Sequence, residues 1–201
     1  MFKRKLSTEN KPKVKLRLDY NSPVILTFTF LSLGALILQF ISGGLLTMAC
    51  FSVYRSFITP LWFVRLIGHV LGHADFNHYI GNMTMLLLVG PMLEEKYGSK
   101  IMIESILITA VVTGLANILF FPHSYLLGAS GVVFMMIVMS SVTSVKKGTI
   151  PLTLILVSVL FIGEQIIAGI TSKDNISQLT HIIGGILGGI FGMVLHEKKE
   201  V

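Results

Sequence analysis

The amino-acid sequence predicts an all-α membrane protein: a bundle of six transmembrane helices with both termini in the cytoplasm. Three observations predict it. First, 53% of the residues are hydrophobic, only 13% are charged, and the mean hydropathy is +0.79, whereas a soluble domain carries about 25% charged residues. Second, the apolar residues fall in long charge-free blocks rather than at amphipathic spacing, and about 20 such residues cross a bilayer. Third, six spans place the termini and the 94–100 and 146–148 loops on one side. Those segments hold thirteen of the sixteen lysines and arginines, leaving Arg55, Arg65 and Lys173 opposite. Basic residues concentrate on cytoplasmic loops, which orients the bundle. The net charge of +6 is then explained by topology and contact with anionic lipid, and a nucleic-acid partner is excluded. Cys50 is the sole cysteine, so no internal disulfide can form.

Residues 1–20 are polar and Lys/Arg-rich and read as a cytoplasmic tail. A signal peptide is the alternative, but the following apolar run is too long and no small-residue cleavage site opens onto a soluble domain. The first span covers about 23–43, inside the charge-free stretch from Asp19 to Arg55. Residues 44–68 mix aromatic, apolar and basic side chains, the composition of a structured loop in the membrane interface. A second span runs from about His78 to Leu93 and stops at Glu94-Glu95-Lys96. The block from Ser105 to Val145 is two spans long and breaks at Phe121-Pro122-His123-Ser124, giving spans at about 101–120 and 128–145. A fifth covers about 150–170 and a sixth about 177–195. The membrane domain is thus 21–196, with a short cytoplasmic tail at 197–201.

Four features stand out at membrane depth. Gly128-Ala129-Ser130-Gly131 opens span four. A serine between glycines leaves room for an approaching backbone, and free N–H groups at a helix start suit a developing oxyanion. The bland alternative is small-residue helix packing. His181 lies in span six, and His181, Gly184, Gly188 and Gly192 share one stripe. That stripe admits another helix at close range. Span four as the partner brings His181 to Ser130, with Ser130 opening a descending helix and His181 an ascending one, both near the outer leaflet. A histidine bonded to neighbouring backbone is the alternative, but ionisable residues in spans are costly and usually functional. His78 and Asn82 share a face of span two and can both donate hydrogen bonds without charge, so they suit either an oxyanion hole or helix capping. His69, His73 and His78, with Asp75 nearby, raise a zinc site. The helix break around Gly72 and Ala74–Asn77 and the lack of an HExxH pattern argue against one. No metal or other cofactor is expected. Glu164, in the outer half of span five, either snorkels to the loop or faces the cavity.

At these residues the chain resembles the rhomboid intramembrane serine proteases. The match is the ordered set Arg65, His69, His73, His78-x-x-x-Asn82, Glu95-Lys96-x-Gly98-Ser99, Gly128-x-Ser130-Gly131 and His181-x-x-Gly184-x-x-x-Gly188, spread over about 60–195. The resemblance implies a Ser130–His181 dyad hydrolysing peptide bonds in or near transmembrane segments. It implies an oxyanion hole of His78, Asn82 and the Ser130 amide, with Arg65 in the interfacial loop. Where family members often carry tyrosine, this chain has Phe134, which can stack on His181 without a hydroxyl. No carboxylate is evident beside His181. The expected partners are the lipid bilayer and single-span or polytopic membrane-protein substrates. The expected location is the plasma membrane, in the compact bacterial form.

Two other readings are open to such a chain. An inactive relative acting in binding or trafficking typically lacks the serine or the histidine, and both are here. A small transporter predicts matched interruptions in two halves, and 1–100 and 101–201 show no such symmetry.

Overall fold

The computed structural model describes residues 19–142 and 175–197, together with Leu152, Ile155, Leu156 and Val159. Among these the chain forms α1 (Pro23–Ser42), α2 (Leu45–Cys50), α3 (Pro60–Gly68), a 3₁₀ turn (His69–Leu71), α4 (Phe76–Tyr97), α5 (Ser99–Phe120), α6 (Ser130–Val142) and α7 (Asn175–Glu197). Glu164 and most of the expected fifth span lie outside the described residues. Leu152, Ile155, Leu156 and Val159 are helical and exposed, at the i, i+3, i+4, i+7 spacing of one helix face.

Each boundary has a local cause. Pro23 starts α1 and Gly43, in the left-handed region at φ 60°, ends it, the usual asymmetry of proline and glycine at helix ends. Thr59 caps α3 by accepting the Trp62 amide. The Asp75 carboxylate accepts the His78 amide at 2.9 Å. That cap starts α4 at Phe76, two residues before the expected His78, because a capped end satisfies an amide that would otherwise face the membrane. The 44–68 stretch, read as an interfacial loop, contains two short helices and a single antiparallel bridge, Val53 to Leu126.

Three described helices are long and apolar enough to cross a membrane: α1, α5 and the Gln178–Leu195 part of α7. The bundle is apolar outside, and its interior mixes an apolar core with polar side chains. Thr29, Ser32, Ser105, Thr109, Thr113 and Asn117 are buried, while Phe30, Ile41, Leu88, Leu119 and Ile186 are exposed. With lipid outside, apolar burial alone does not drive helix association, so polar residues bonded to their own helix share the interior with Leu36, Leu86, Met102 and Met135. Thr109 donates to the Ser105 carbonyl and Thr113 to the Thr109 carbonyl.

α1 and α4 run antiparallel, tied at both ends. At one end the Glu94 carboxylate, 4% exposed, accepts the Val24 and Ile25 amides at 3.0 and 3.1 Å and the Ser99 hydroxyl at 2.7 Å. It caps α1 from outside and holds α1, α4 and α5 together. The sequence comparison picked out Glu95 in this motif; Glu95 is exposed. The helical register explains the difference, since Glu94 shares a face with buried Leu86 and Gly90.

α6 and α7 make the most extensive helix contact in the bundle. A methyl group on Gly184 would overlap the Gly131 carbonyl oxygen, one on Gly188 would overlap that of Met135, and one on Gly192 would come 2.8 Å from Val142. The glycine stripe therefore lies directly on the α6 backbone. The pairs advance together along both helices, so α6 and α7 are parallel. This corrects the expectation of one descending and one ascending helix. Parallel helices in this register start together, so Ser130 and His181 lie at the same end.

Candidate active site

The segment from Phe121 to Ala129 is fixed on three sides before it reaches Ser130. The Asn117 side-chain amide donates to the Val53 carbonyl at 3.2 Å and the Ser124 carbonyl at 3.4 Å. Val53 and Leu126 exchange both backbone hydrogen bonds at 2.9 Å, and the Gly128 amide donates to the His69 carbonyl at 2.9 Å. α5 and the interfacial segment thus clamp this loop from either flank. Gly128 is glycine for two reasons. Its φ of +126° is strained for any residue with a Cβ, and a Cβ there would sit 2.7 Å from His78 Cε1 and 2.9 Å from His78 Nε2.

Helix α6 begins at Ser130 with Ala129 as its cap, and the Ala129 carbonyl accepts the Val133 amide at 2.9 Å. The amides of Ser130 and the next two residues therefore lie in the first turn, where no intrahelical acceptor exists. Ser130 is half-buried. His181, in the second turn of α7, is half-buried too, and its ring stacks on Phe134 with centroids 4.2 Å apart and planes inclined by 33°. Ser130, His181, His78 and Asn82 line one cavity of about 380 Å³, with Phe134 on its wall and Gly81, Met85, Val133 and Ile137 completing it. Side chains from α4, α6 and α7 converge there.

The state of His78 follows from a single contact. The Ala74 amide donates to His78 Nδ1 at 3.4 Å. A backbone N–H can only donate, so Nδ1 carries no proton and the proton of the neutral ring sits on Nε2, the atom facing Gly128. Asn82 is 8% exposed, and its amide nitrogen has no hydrogen-bond partner among the described residues. Hence His78 and Asn82 present two neutral N–H groups to the cavity that contains Ser130.

The three histidines once considered for zinc point to separate partners. His69 Nδ1 lies 3.2 Å from the Leu66 carbonyl and Nε2 lies 3.4 Å from the Thr113 hydroxyl. His73 Nδ1 lies 3.1 Å from the Leu71 carbonyl. Burial pushes the imidazoles of His69 and His73 down to about 4, which keeps both neutral at pH 7. Asp75 is engaged as the α4 cap. Arg65, 6% exposed, bonds the Tyr54 hydroxyl and Ser56 and lies over the Tyr54 ring at 4.5 Å. It is a strut of the interfacial segment rather than a cavity residue.

Sequence reasoning missed Asn117, Thr113 and Gln39. Asn117 and Thr113 stand on one α5 stripe with Ser105 and Thr109 at intervals of four, a polar file in an apolar helix that could have flagged them. Gln39 is an amide at the end of an otherwise apolar span, also a visible signal.

The rhomboid domain family model matches residues 60–198. The chain is 33% identical over 142 residues to Rhomboid-related protein 1 of Caenorhabditis elegans, covering 65% of this chain and 39% of that protein. It is 24% identical over 157 residues to Rhomboid-like protein 11, chloroplastic, of Arabidopsis thaliana, covering 71% of this chain and 55% of that protein. The chain thus spans about half, or less, of the curated relatives it matches.

Proposed function

The chain belongs to the rhomboid family, and on that premise we propose that it is an intramembrane serine protease with Ser130 as nucleophile and His181 as general base. The observation that carries this reading is the shared cavity: Ser130, His181, His78 and Asn82 come from three helices and line one space. Packing alone explains the glycines, but it does not explain why a hydroxyl, an imidazole and two neutral N–H groups meet there.

The chemistry follows from the placement. His181 takes the Ser130 hydroxyl proton as the oxygen attacks the scissile carbonyl. The oxyanion that forms accepts hydrogen bonds from His78 Nε2–H, the Asn82 amide and the Ser130 backbone N–H. As the tetrahedral adduct collapses, the C–N bond breaks and the imidazolium of His181 gives its proton to the leaving amine. Water, deprotonated by His181, then attacks the acyl ester, and the proton returns to Ser130 as the carboxylate leaves. The Phe134 ring holds the imidazole by its face, which supplies orientation.

The substrates of this reading are membrane proteins, cut in or near a transmembrane segment. Six spans, cytoplasmic ends and plasma-membrane residence complete it. The parallel packing of α6 and α7 supports the count, since it returns the chain to the Ser130 end between them. The test is a gel assay on reconstituted protein with a single-span substrate. Ser130→Ala is expected to abolish cleavage; equal cleavage by variant and parent would remove the protease reading. Labelling by a fluorophosphonate, lost in His181→Ala, checks the dyad independently.

A further inference from the structure

Helix α1 contributes no residue to the cavity, yet one of its side chains reaches the turn that sets His78. The half-buried Gln39 lies near the end of α1. Its amide nitrogen donates to the Ala74 carbonyl, and its amide oxygen accepts the Thr47 hydroxyl at 3.1 Å. Ala74 in turn donates its own N–H to His78 Nδ1 at 3.4 Å. The Ala74 contact fixes which end of the Gln39 amide is the donor, because a carbonyl oxygen can only accept, and this leaves the amide oxygen to accept the Thr47 hydroxyl. The result is a directed chain: Thr47 hydroxyl, Gln39 amide, Ala74 backbone, His78 Nδ1.

We propose that Gln39 is a positioning residue for the reaction, holding the Ala74 turn so that its N–H fixes His78 as the Nε2–H tautomer that donates to the oxyanion. The proposal rests on the protease reading above and deepens it. Ala74 and Asp75 are exposed, so burial holds this turn only on the His73 side. Asp75 holds the turn to the His78 amide on its own helix, and Gln39 supplies the anchor from outside. Without that anchor the Ala74 N–H swings away from Nδ1. The ring is then free to carry its proton on either nitrogen. In the Nδ1–H form a lone pair on Nε2 faces the developing negative charge, which opposes catalysis rather than assisting it. Binding of the substrate helix is unaffected, since Gln39 lines no part of the cavity.

The test uses the full chain with ¹⁵N-labelled histidine. In the parent, His78 is expected to report an unprotonated Nδ1 and a protonated Nε2. In Gln39→Met, which keeps the volume and removes the donor, it is expected to report a mixture. The same variant is expected to lose about tenfold in kcat with KM unchanged, by analogy with the ~10–100-fold lost on removing the outer partner of a metal-bound histidine. That is well short of the ~100–1,000-fold for deleting an oxyanion donor outright. Thr47→Val, which frees the Gln39 amide to rotate, is expected to move both readouts in the same direction by less, and it decides the question if Gln39→Met does not fold. An unchanged His78 tautomer, or a loss that appears in KM instead of kcat, overturns the proposal. The two readings fail separately: full cleavage by Ser130→Ala removes the protease, while the His78 nitrogen shifts report on the Gln39 chain whatever the protein cleaves.

Discussion

Phe134 and His181 make a stacked pair 4.2 Å apart at the centroids. Aromatic pairs contribute about 0.5–1.5 kcal/mol beyond burial, which in a barrier is up to about tenfold in rate. Phe134→Leu is therefore expected to lower kcat about tenfold, and Phe134→Tyr to keep it at or above the parent value, measured on a reconstituted substrate. His69 is a second residue whose environment makes a prediction. Its ring is 1% exposed and its pKa is lowered to about 4 by burial, from 6.5. The unfolded segment then binds more protons than the folded one between those values, so stability falls as pH drops from about 6.5 and levels off below about 4. Melting temperature in detergent should fall across that window, and His69→Gln should flatten the fall. A parent profile unchanged from pH 7 to 4 would contradict the buried neutral ring.

At the level of elements, two contacts carry the bundle. Along α7, Gly188 rests on the Met135 backbone, whereas the nearest atom to a Cβ on Gly189 is 4.0 Å away. Gly188→Ala is expected to push α6 and α7 apart, costing about 1–3 kcal/mol by overpacking and most of the activity with it. Gly189→Ala is expected to be neutral or stabilising by up to about 1 kcal/mol, because alanine is the better helix former. Thermal unfolding and cleavage measured on the pair decide whether glycine matters here by contact or by composition. At the opposite end of the bundle, Glu94→Ala strips the acceptor from two α1 amides and Ser99. A loss of about 3 kcal/mol is expected, since each buried donor left without a partner costs on the order of 1–3 kcal/mol. Glu95→Ala, at an exposed position, should stay within about 0.5 kcal/mol of the parent.

For the whole molecule, the charge asymmetry makes a topological prediction. Cys50 is the sole cysteine, so Cys50→Ser gives a background in which a cysteine at Lys3 reports the tail. On intact cells a membrane-impermeant thiol reagent is expected to miss Lys3→Cys and to label it after the membrane is opened. Labelling without permeabilisation would reverse the orientation and place the Ser130 end of the bundle on the cytoplasmic side.

The sequence by itself determined that the chain is built of long apolar helices, and it singled out the polar residues that line the cavity. Charge-free length marks a span because an unpaired charge in hydrocarbon is costly, and the start of α1 was legible for that reason, while the end of α5 was legible from the break at Phe121-Pro122. Ser130, His181, His78 and Asn82 were legible because polar groups are rare in such segments, and the glycine stripe announced a close helix contact. The tertiary structure alone decided how these pieces meet. It chose Glu94 over Glu95 as the buried acid and turned Arg65 to Tyr54 and Ser56. It also joined Gln39 to His78 through the Ala74 turn. Each of these depends on which of two adjacent positions faces a neighbour, or on a backbone group that every residue possesses. Composition and spacing carry no trace of either until the chain is folded.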